Sequence, residues 1–159
     1  MYDLMIIGSG PAGISAALTA KARNLNFIWF GSRALSTKIE KAEKIMNYPG
    51  LPAVTGSEMQ SVFLKQIDDC GITITESQVN SIYDCGGYFA AGADNEIYEA
   101  KAVIMTVGMT TTREIEGEAR LLGCGVSYCA TCDGALYKNK DIAVICASPK
   151  FEDEVTFLA

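Results

Sequence analysis

Residues 8–13 read Gly8-Ser9-Gly10-Pro11-Ala12-Gly13, and no other stretch of the 159-residue chain limits its fold as tightly. Asp3 to Ile7 before it is a short apolar run with strand character. Ile14 to Arg23 after it carries Ala16, Ala17 and Ala20, the small residues of a closely packed helix. In a strand, turn and helix of this form the first glycine permits the tight turn, the second lets backbone approach a pyrophosphate, and the third lets helix pack on strand. The helix N-terminus then presents unpaired N–H groups and a positive dipole end to the phosphates. Gly8, Ser9, Gly10, Pro11, Ala12 and Gly13 are therefore candidate dinucleotide-binding residues. Asn26 to Phe30 supplies a second strand, closing a βαβ unit of about 30 residues that opens a parallel, doubly wound sheet.

Such a loop is ordinarily followed, about 20 residues on, by an acid at the end of the second strand that holds the adenosine ribose. Here Phe30 is followed by Gly31, Ser32 and Arg33, with no acid. Ribose contact is expected instead from backbone at Gly31, from Ser32 or from Arg33, and an arginine there also suits a 2′-phosphate. Arg33 to Lys44 is charged and aperiodic, a surface loop, and Asn47 to Pro52 is a turn-rich stretch. Ser57-Glu58-Met59-Gln60 has capping-box form, and Met59, Val62, Phe63, Ile67 and Cys70 make one helical stripe that Gly71 ends. Short β-prone runs at 72–75, 78–83, 88–91 and 97–98 predict a small antiparallel meander. The apolar runs Ala102 to Val107 and Asp141 to Cys146 predict buried strands, and Phe151 to Ala159 begins a helix.

With no histidine and a net charge of −6, the chain lacks the ligands for His-based metal sites and triads and the basic face that a nucleic acid requires. It has neither an apolar run of membrane-spanning length nor a secretory leader, so a cytoplasmic protein without a membrane partner is expected. In that compartment six cysteines are thiols, ligands or redox catalysts rather than a disulfide framework. Cys129-Ala130-Thr131-Cys132 is a C-x-x-C motif, which lets two sulfurs close a small disulfide and lets one thiolate be stabilised by its neighbour. Asp133 follows directly as a candidate acid/base. Zinc would need two further ligands, so no metal site is expected. The spacing Cys124-x4-Cys129-x2-Cys132, with Cys146 as a fourth ligand, also fits a plant-type iron–sulfur cluster, and spacing alone leaves that reading open. Cys70, Cys85, Cys124 and Cys146 are otherwise expected to be buried small hydrophobes.

Taken in order, Gly8-Ser9-Gly10-Pro11-Ala12-Gly13, Asn47-Tyr48-Pro49-Gly50, Thr106-Val107-Gly108 and Cys129-Ala130-Thr131-Cys132-Asp133-Gly134 resemble the low-molecular-weight bacterial thioredoxin reductases over the whole chain. The resemblance implies an α/β fold: an FAD-binding Rossmann-like domain, parallel sheet plus small antiparallel meander, over 1–113. The start of a second Rossmann-like domain carrying the dithiol, incomplete, then runs over 114–159. It also implies a homodimer and electron flow from FAD to Cys129 and Cys132 and on to thioredoxin. Cys132 would face the flavin, Cys129 would attack thioredoxin and Asp133 would be the acid/base. Asn47 and the backbone near Val79 would contact FAD, and Thr106 and Gly108 would mark the return of the chain to the cofactor.

Two departures from that family stand out. Ser36-Thr37-Lys38 replaces a Gly-Gly-Gln segment beside the flavin ring, so Lys38 either sits near the isoalloxazine or points into water. After the run ending at Ile145, the family's second glycine loop, for NADPH, is replaced by Cys146-Ala147-Ser148-Pro149-Lys150-Phe151. A Cβ at each turn position, a proline without an N–H, and Glu152, Asp153 and Glu154 beyond all oppose a phosphate. The pattern is similar to the flavin thioredoxin reductases that take electrons from ferredoxin, with Lys38, Lys41 and Lys44 as a candidate basic docking patch. The alternatives are an NADPH-dependent thioredoxin reductase or peroxiredoxin reductase component, and a non-catalytic FAD-binding redox sensor. The motif order also leads us to expect the N-terminal portion of an enzyme about twice this length.

Overall fold

The first strand, β1 (Tyr2–Ile7), is buried at every position from Leu4 to Ile7, which requires neighbours on both edges and cover on both faces. The computed structural model of the chain describes residues 1–108, 115–146 and 148–159. The side chains of Ala119, Cys132 and Asp133 lie outside the described residues, as does the expected domain boundary at 113/114. On one edge β1 pairs in parallel with β2 (Phe27–Phe30), from Leu4 opposite Phe27 to Ile7 opposite Phe30. The crossover between them is helix α1 (Pro11–Ala22), which packs on the sheet with Ile14, Ala17 and Ala20 buried.

The other edge of β1 pairs in parallel with β5 (Glu96–Met105), whose first half is also the antiparallel partner of β4 (Phe89–Ala93), itself paired with β3 (Val79–Asp84). The sheet order is β2-β1-β5-β4-β3, a mixed α/β sheet of the Rossmann-like type anticipated. The runs at 97–98 and 102–107, expected as two strands, are one: its first half closes the meander and its second half joins the parallel ladder. Burial of the second half is lower than expected, with Ile104 at 39% and Met105 at 62% exposure. Met5, Ile7, Ile28, Phe30, Ala91, Ala93 and Ala100 form a core cluster on one face. The run at 72–75 forms no strand, only an isolated parallel bridge from Thr75 to Phe30.

Helix α2 (Thr37–Glu40) is a single turn in the expected loop, and helix α3 (Gly56–Asp69) follows. The capping box of α3 falls two residues earlier than expected. Thr55 Oγ1 accepts from Glu58 N (3.2 Å), and Glu58 Oε2 accepts from Thr55 N (2.8 Å). Met59, Phe63 and Ile67 are buried at four-residue spacing, but Val62, about 100° round from Phe63, is exposed, and Cys70 lies past the helix end. The segment 141–146 is exposed and not a strand, correcting the expectation from its composition; a strand needs a ladder partner, and among the described residues none runs beside it. Helix α4 (Glu118–Leu121), α5 (Ala130–Asp133) and α6 (Glu152–Leu158) complete the described α-helices, with 3-10 turns at Gly134–Tyr137 and Pro149–Phe151. The chain divides into two compact units, Met1–Thr37 with Gln60–Thr111, and Lys38–Met59 with Thr112–Ala159. No described helix is long and apolar enough to cross a membrane.

Candidate functional site

The glycine turn is held from three sides. Gly8 N donates to Phe30 O (2.8 Å), and Gly8 O accepts from the Trp29 indole Nε1 (2.9 Å). The Thr106 hydroxyl, at the end of β5, lies 2.9 Å from Ile7 O and 3.1 Å from Gly8 O. The three glycines then separate by role. Gly8 has a φ of +113° and a Cβ there would overlap the Thr106 carbonyl oxygen, while a Cβ on Gly13 would overlap the carbonyl oxygen of Gly8. Both are demanded by the chain's own packing. Among the described residues a Cβ on Gly10 would meet nothing within 4 Å, so this position is open with respect to them. Gly10 is the N-cap of α1, Pro11 opens the helix, no side chain among the described residues caps it and no acid lies in its first turn. The N–H groups of that turn are thus left for an anion.

Ser9, Gly31 and Ser32 are brought to the same place. Ser9 is buried, its Oγ accepting from Ser32 N (3.0 Å) and donating to Leu35 O (3.2 Å), and a Cβ on Gly31 would come within 2.6 Å of the Ser9 Cβ. Arg33 turns away: both its terminal nitrogens fork onto the Asp68 carboxylate of α3 at 3.0–3.1 Å, an exposed pair that raises the guanidinium pKa and lowers that of Asp68. The backbone N–H of Arg33 donates to Glu76 Oε1 at 2.8 Å. Glu76 was not legible as a site residue, because only the bridge between Thr75 and Phe30 carries it there. Val79 opens β3 four residues after Thr75, hence within about 14 Å of it, and packs against the core cluster. Gly108 lies two residues beyond Thr106, with a φ of +69°.

Lys38, Asn47 and the C-x-x-C motif belong to the second unit. Asn47 is exposed in the turn between Ile45 and Val54, which form an isolated bridge. Lys38 lies over the ring of Tyr128, its Nζ 5.2 Å from the centroid. The Tyr128 hydroxyl donates to Glu118, a buried carboxylate that also accepts from Ile115 N at 2.6 Å; these two donors hold its pKa below the ordinary carboxylate value. Cys129, next in sequence, is disulfide-bonded, its N–H donating to Ser127 Oγ (3.1 Å) immediately before α5. The side chains of Cys132 and Asp133 lie outside the described residues.

Cys70, Cys85, Cys124 and Cys146 carry free thiols and are all exposed, correcting the expectation that they are core residues. Cys70 and Cys85 sit at turns beside Gly71 and Gly86, and Cys146 ends the segment 141–146, which has no strand partner among the described residues. Among the described residues no group of three or more His, Cys, Asp or Glu is placed to hold a metal ion.

The turn at 146–151, of which Ala147 lies outside the described residues, is built differently from the first. Ser148 caps a short 3-10 turn, Pro149–Phe151: its Oγ accepts from Lys150 N (3.4 Å) and its carbonyl accepts from Phe151 N (3.0 Å). Pro149 has no N–H. The first turn of α6 that follows holds Glu152, Asp153 and Glu154.

A parallel βαβ start with an open middle glycine and an uncapped helix N-terminus defines a Rossmann-like dinucleotide-binding unit. The model of the family described as pyridine nucleotide-disulphide oxidoreductase matches residues 2–149, and the chain belongs to that family. It is similar to the thioredoxin reductase of Bacillus subtilis (strain 168), at 31% identity over 159 residues, covering 99% of this chain and 50% of that protein. Among solved structures it is similar to a ferredoxin-flavin thioredoxin reductase from Clostridium acetobutylicum, at 44% identity and a TM-score of 0.68, covering 99% of this chain and 55% of the other. It is likewise similar to the thioredoxin reductase of Streptococcus pyogenes MGAS5005, at 33% identity and a TM-score of 0.84, covering 99% and 52%. The chain spans about half the length of the curated relatives it matches. The family binds FAD, and the open backbone at Gly10 together with the acid-free start of α1 fits a pyrophosphate there.

Proposed function

We propose that this chain is part of a flavin-dependent disulfide reductase that reduces thioredoxin through a C-x-x-C dithiol and draws its electrons from ferredoxin rather than NADPH. The observation that carries the choice of donor is the turn at 146–151, whose two N–H groups at Lys150 and Phe151 are drawn onto Ser148 and whose next turn is acidic. The 44% identity to a ferredoxin-flavin enzyme, against 31% and 33% to the other two reductases, points the same way.

In this reading Gly8, Ser9, Gly10, Pro11, Ala12 and Gly13, with Gly31 and Ser32, hold the dinucleotide, and Thr106 fixes the turn by its hydroxyl. Val79, Gly108, Asn47 and Lys38 complete the cofactor surroundings. Bound FAD, once reduced by two one-electron transfers from ferredoxin, would supply two electrons to a disulfide. The Cys129–Cys132 disulfide takes up those electrons and two protons to become a dithiol, with Asp133 as the acid. The Cys129 thiolate then attacks the thioredoxin disulfide and expels one thioredoxin thiol. Cys132 resolves the mixed disulfide, restoring the enzyme's own and releasing reduced thioredoxin. Residues 1–113 form the FAD-binding domain and 114–159 the start of the dithiol domain of a cytoplasmic homodimer, with Lys38, Lys41 and Lys44 as the ferredoxin-facing patch.

Anaerobic stopped-flow reduction of the holoenzyme separates the donors. Reduced ferredoxin is expected to bleach the flavin and support thioredoxin reduction, while NADPH is expected to do neither. Bleaching by NADPH as fast as by ferredoxin would reject the ferredoxin assignment and favour the ordinary reductase. Flavin binding with no thioredoxin reduction from any donor would favour a redox sensor.

A further inference from the structure

The end of β2 lacks the acid that a Rossmann-like unit ordinarily places there for the adenosine ribose, since Gly31, Ser32, Arg33, Ala34 and Leu35 follow Phe30. The structure nevertheless puts a carboxylate at that point, from a residue 43 positions further along the chain than Arg33. Thr75 N donates to Trp29 O (2.7 Å) and Gly31 N donates to Thr75 O (3.1 Å), making the parallel bridge to Phe30. In that register Glu76 emerges beside the carboxyl end of β2, the side on which open α/β sheets bind their ligands. Its Oε1 accepts from Arg33 N at 2.8 Å. The same turn sends Ser32 N to Ser9 Oγ, and Ser9 adjoins the open position Gly10.

We propose that Glu76 holds the 2′- and 3′-hydroxyls of the adenosine ribose of the bound dinucleotide, taking the place of the missing acid after β2. This rests on the FAD-binding reading of the glycine turn and adds a residue to it. A carboxylate accepts about four hydrogen bonds through two oxygens. After Arg33 N is served, acceptor capacity remains for a vicinal diol, in charge-assisted bonds. The same negative charge repels a 2′-phosphate. The cation that the turn's own sequence offers to such a phosphate, the Arg33 guanidinium, is forked onto Asp68 instead. The turn therefore selects an unphosphorylated ribose, as in FAD, although its sequence contains an arginine.

The test titrates apoprotein with FAD and with the flavin dinucleotide whose adenosine lacks the 2′-hydroxyl, following flavin fluorescence, for the wild-type chain, Glu76→Ala and Glu76→Gln. The wild type is expected to bind FAD about tenfold more tightly than the deoxy form. Glu76→Ala should lose about tenfold in FAD affinity and bind the two ligands alike. Glu76→Gln, which keeps an acceptor for Arg33 N, should fall between. Discrimination between two ligands within one variant does not depend on how much of it is folded. Wild-type binding of FAD, with the same discrimination retained in Glu76→Ala, overturns the ribose assignment alone. Absence of FAD binding to the wild type overturns the flavin reading and the ribose assignment together.

Discussion

Residues 8–13 and 146–151 each lie between an apolar run and a helix, yet the two turns dispose of their backbone N–H groups differently. At the first, two glycines are consumed by the fold, since Cβ atoms at Gly8 and Gly13 would overlap backbone oxygens, and the third, Gly10, is left open. Among the described residues no side chain caps α1, and no acid stands in its first turn. At the second, Ser148 takes up the N–H groups of Lys150 and Phe151, and three acids follow in α6. What makes a nucleotide turn is thus a surplus of unpaired donors in positive potential, with room for the ligand's oxygens to reach them. The flanking apolar pattern is common to both and decides nothing.

Separating the consumed glycines from the open one gives the largest expected effect. Gly13→Ala must push the Gly8 carbonyl, and with it the bonds from Trp29 and Thr106; the cost is about 1–3 kcal/mol and the flavin is expected to be lost. Gly10→Ala meets no atom of the described residues, and the backbone at Gly10, φ −73° and ψ 179°, suits any residue. Its stability should stay within about 0.5 kcal/mol of wild type while FAD affinity falls at least tenfold, as estimated for lost close backbone approach. Chemical denaturation of the apoprotein and flavin titration of both variants measure this directly. Equal destabilisation by the two substitutions would erase the distinction between the glycines.

The first unit was largely legible for a physical reason: β1, the glycine turn, α1 and β2 are contiguous, and their contacts are local. The capping box of α3 was misplaced because Thr55-x-x-Glu58 and Ser57-x-x-Gln60 both satisfy the pattern, and only the stronger acceptor, a carboxylate, closes reciprocally. Glu76 was invisible because its place depends on a single bridge between Thr75 and Phe30, which no local pattern announces. The segment 141–146 misled because apolar composition marks the capacity to pair, whereas pairing needs a neighbour. The cysteines followed the same logic: the C-x-x-C was found by spacing, but the surroundings of the four free thiols were not encoded near them.

A smaller effect probes the second turn. Ser148→Ala removes the side-chain acceptor for Lys150 N and should cost about 1 kcal/mol or less, with flavin binding unaffected. Freeing that one donor is not expected to admit NADPH, because Pro149 still lacks an N–H and the acids of α6 remain. Stopped-flow reduction of the variant holoenzyme by NADPH is the measurement. Fast bleaching would show that the contrast between the two turns rests on Ser148 alone.

The smallest effect distinguishes how the two units are held. The first is held by a sheet and an apolar core, and its pKa-lowered carboxylates, Asp3 beside Lys101 and Asp68 beside Arg33, sit in exposed pairs that water and salt screen. The second places a buried carboxylate, Glu118, under the Tyr128 hydroxyl and Ile115 N. Both donors favour the charged form, so the folded pKa of Glu118 lies below its unfolded value. The unfolded state then binds more protons across the interval between them. The contribution of Glu118 is complete above the ordinary carboxylate value and is lost as pH falls through the lowered one. Acid should therefore open the Ile115 amide to hydrogen exchange before it shifts the emission of Trp29, the chain's single tryptophan, which is 1% exposed and bonded to Gly8 in the first unit. Glu118→Gln should abolish the pH dependence of Ile115 protection while leaving Trp29 unchanged. Simultaneous loss of both signals in the wild type would mean that the two units open as one.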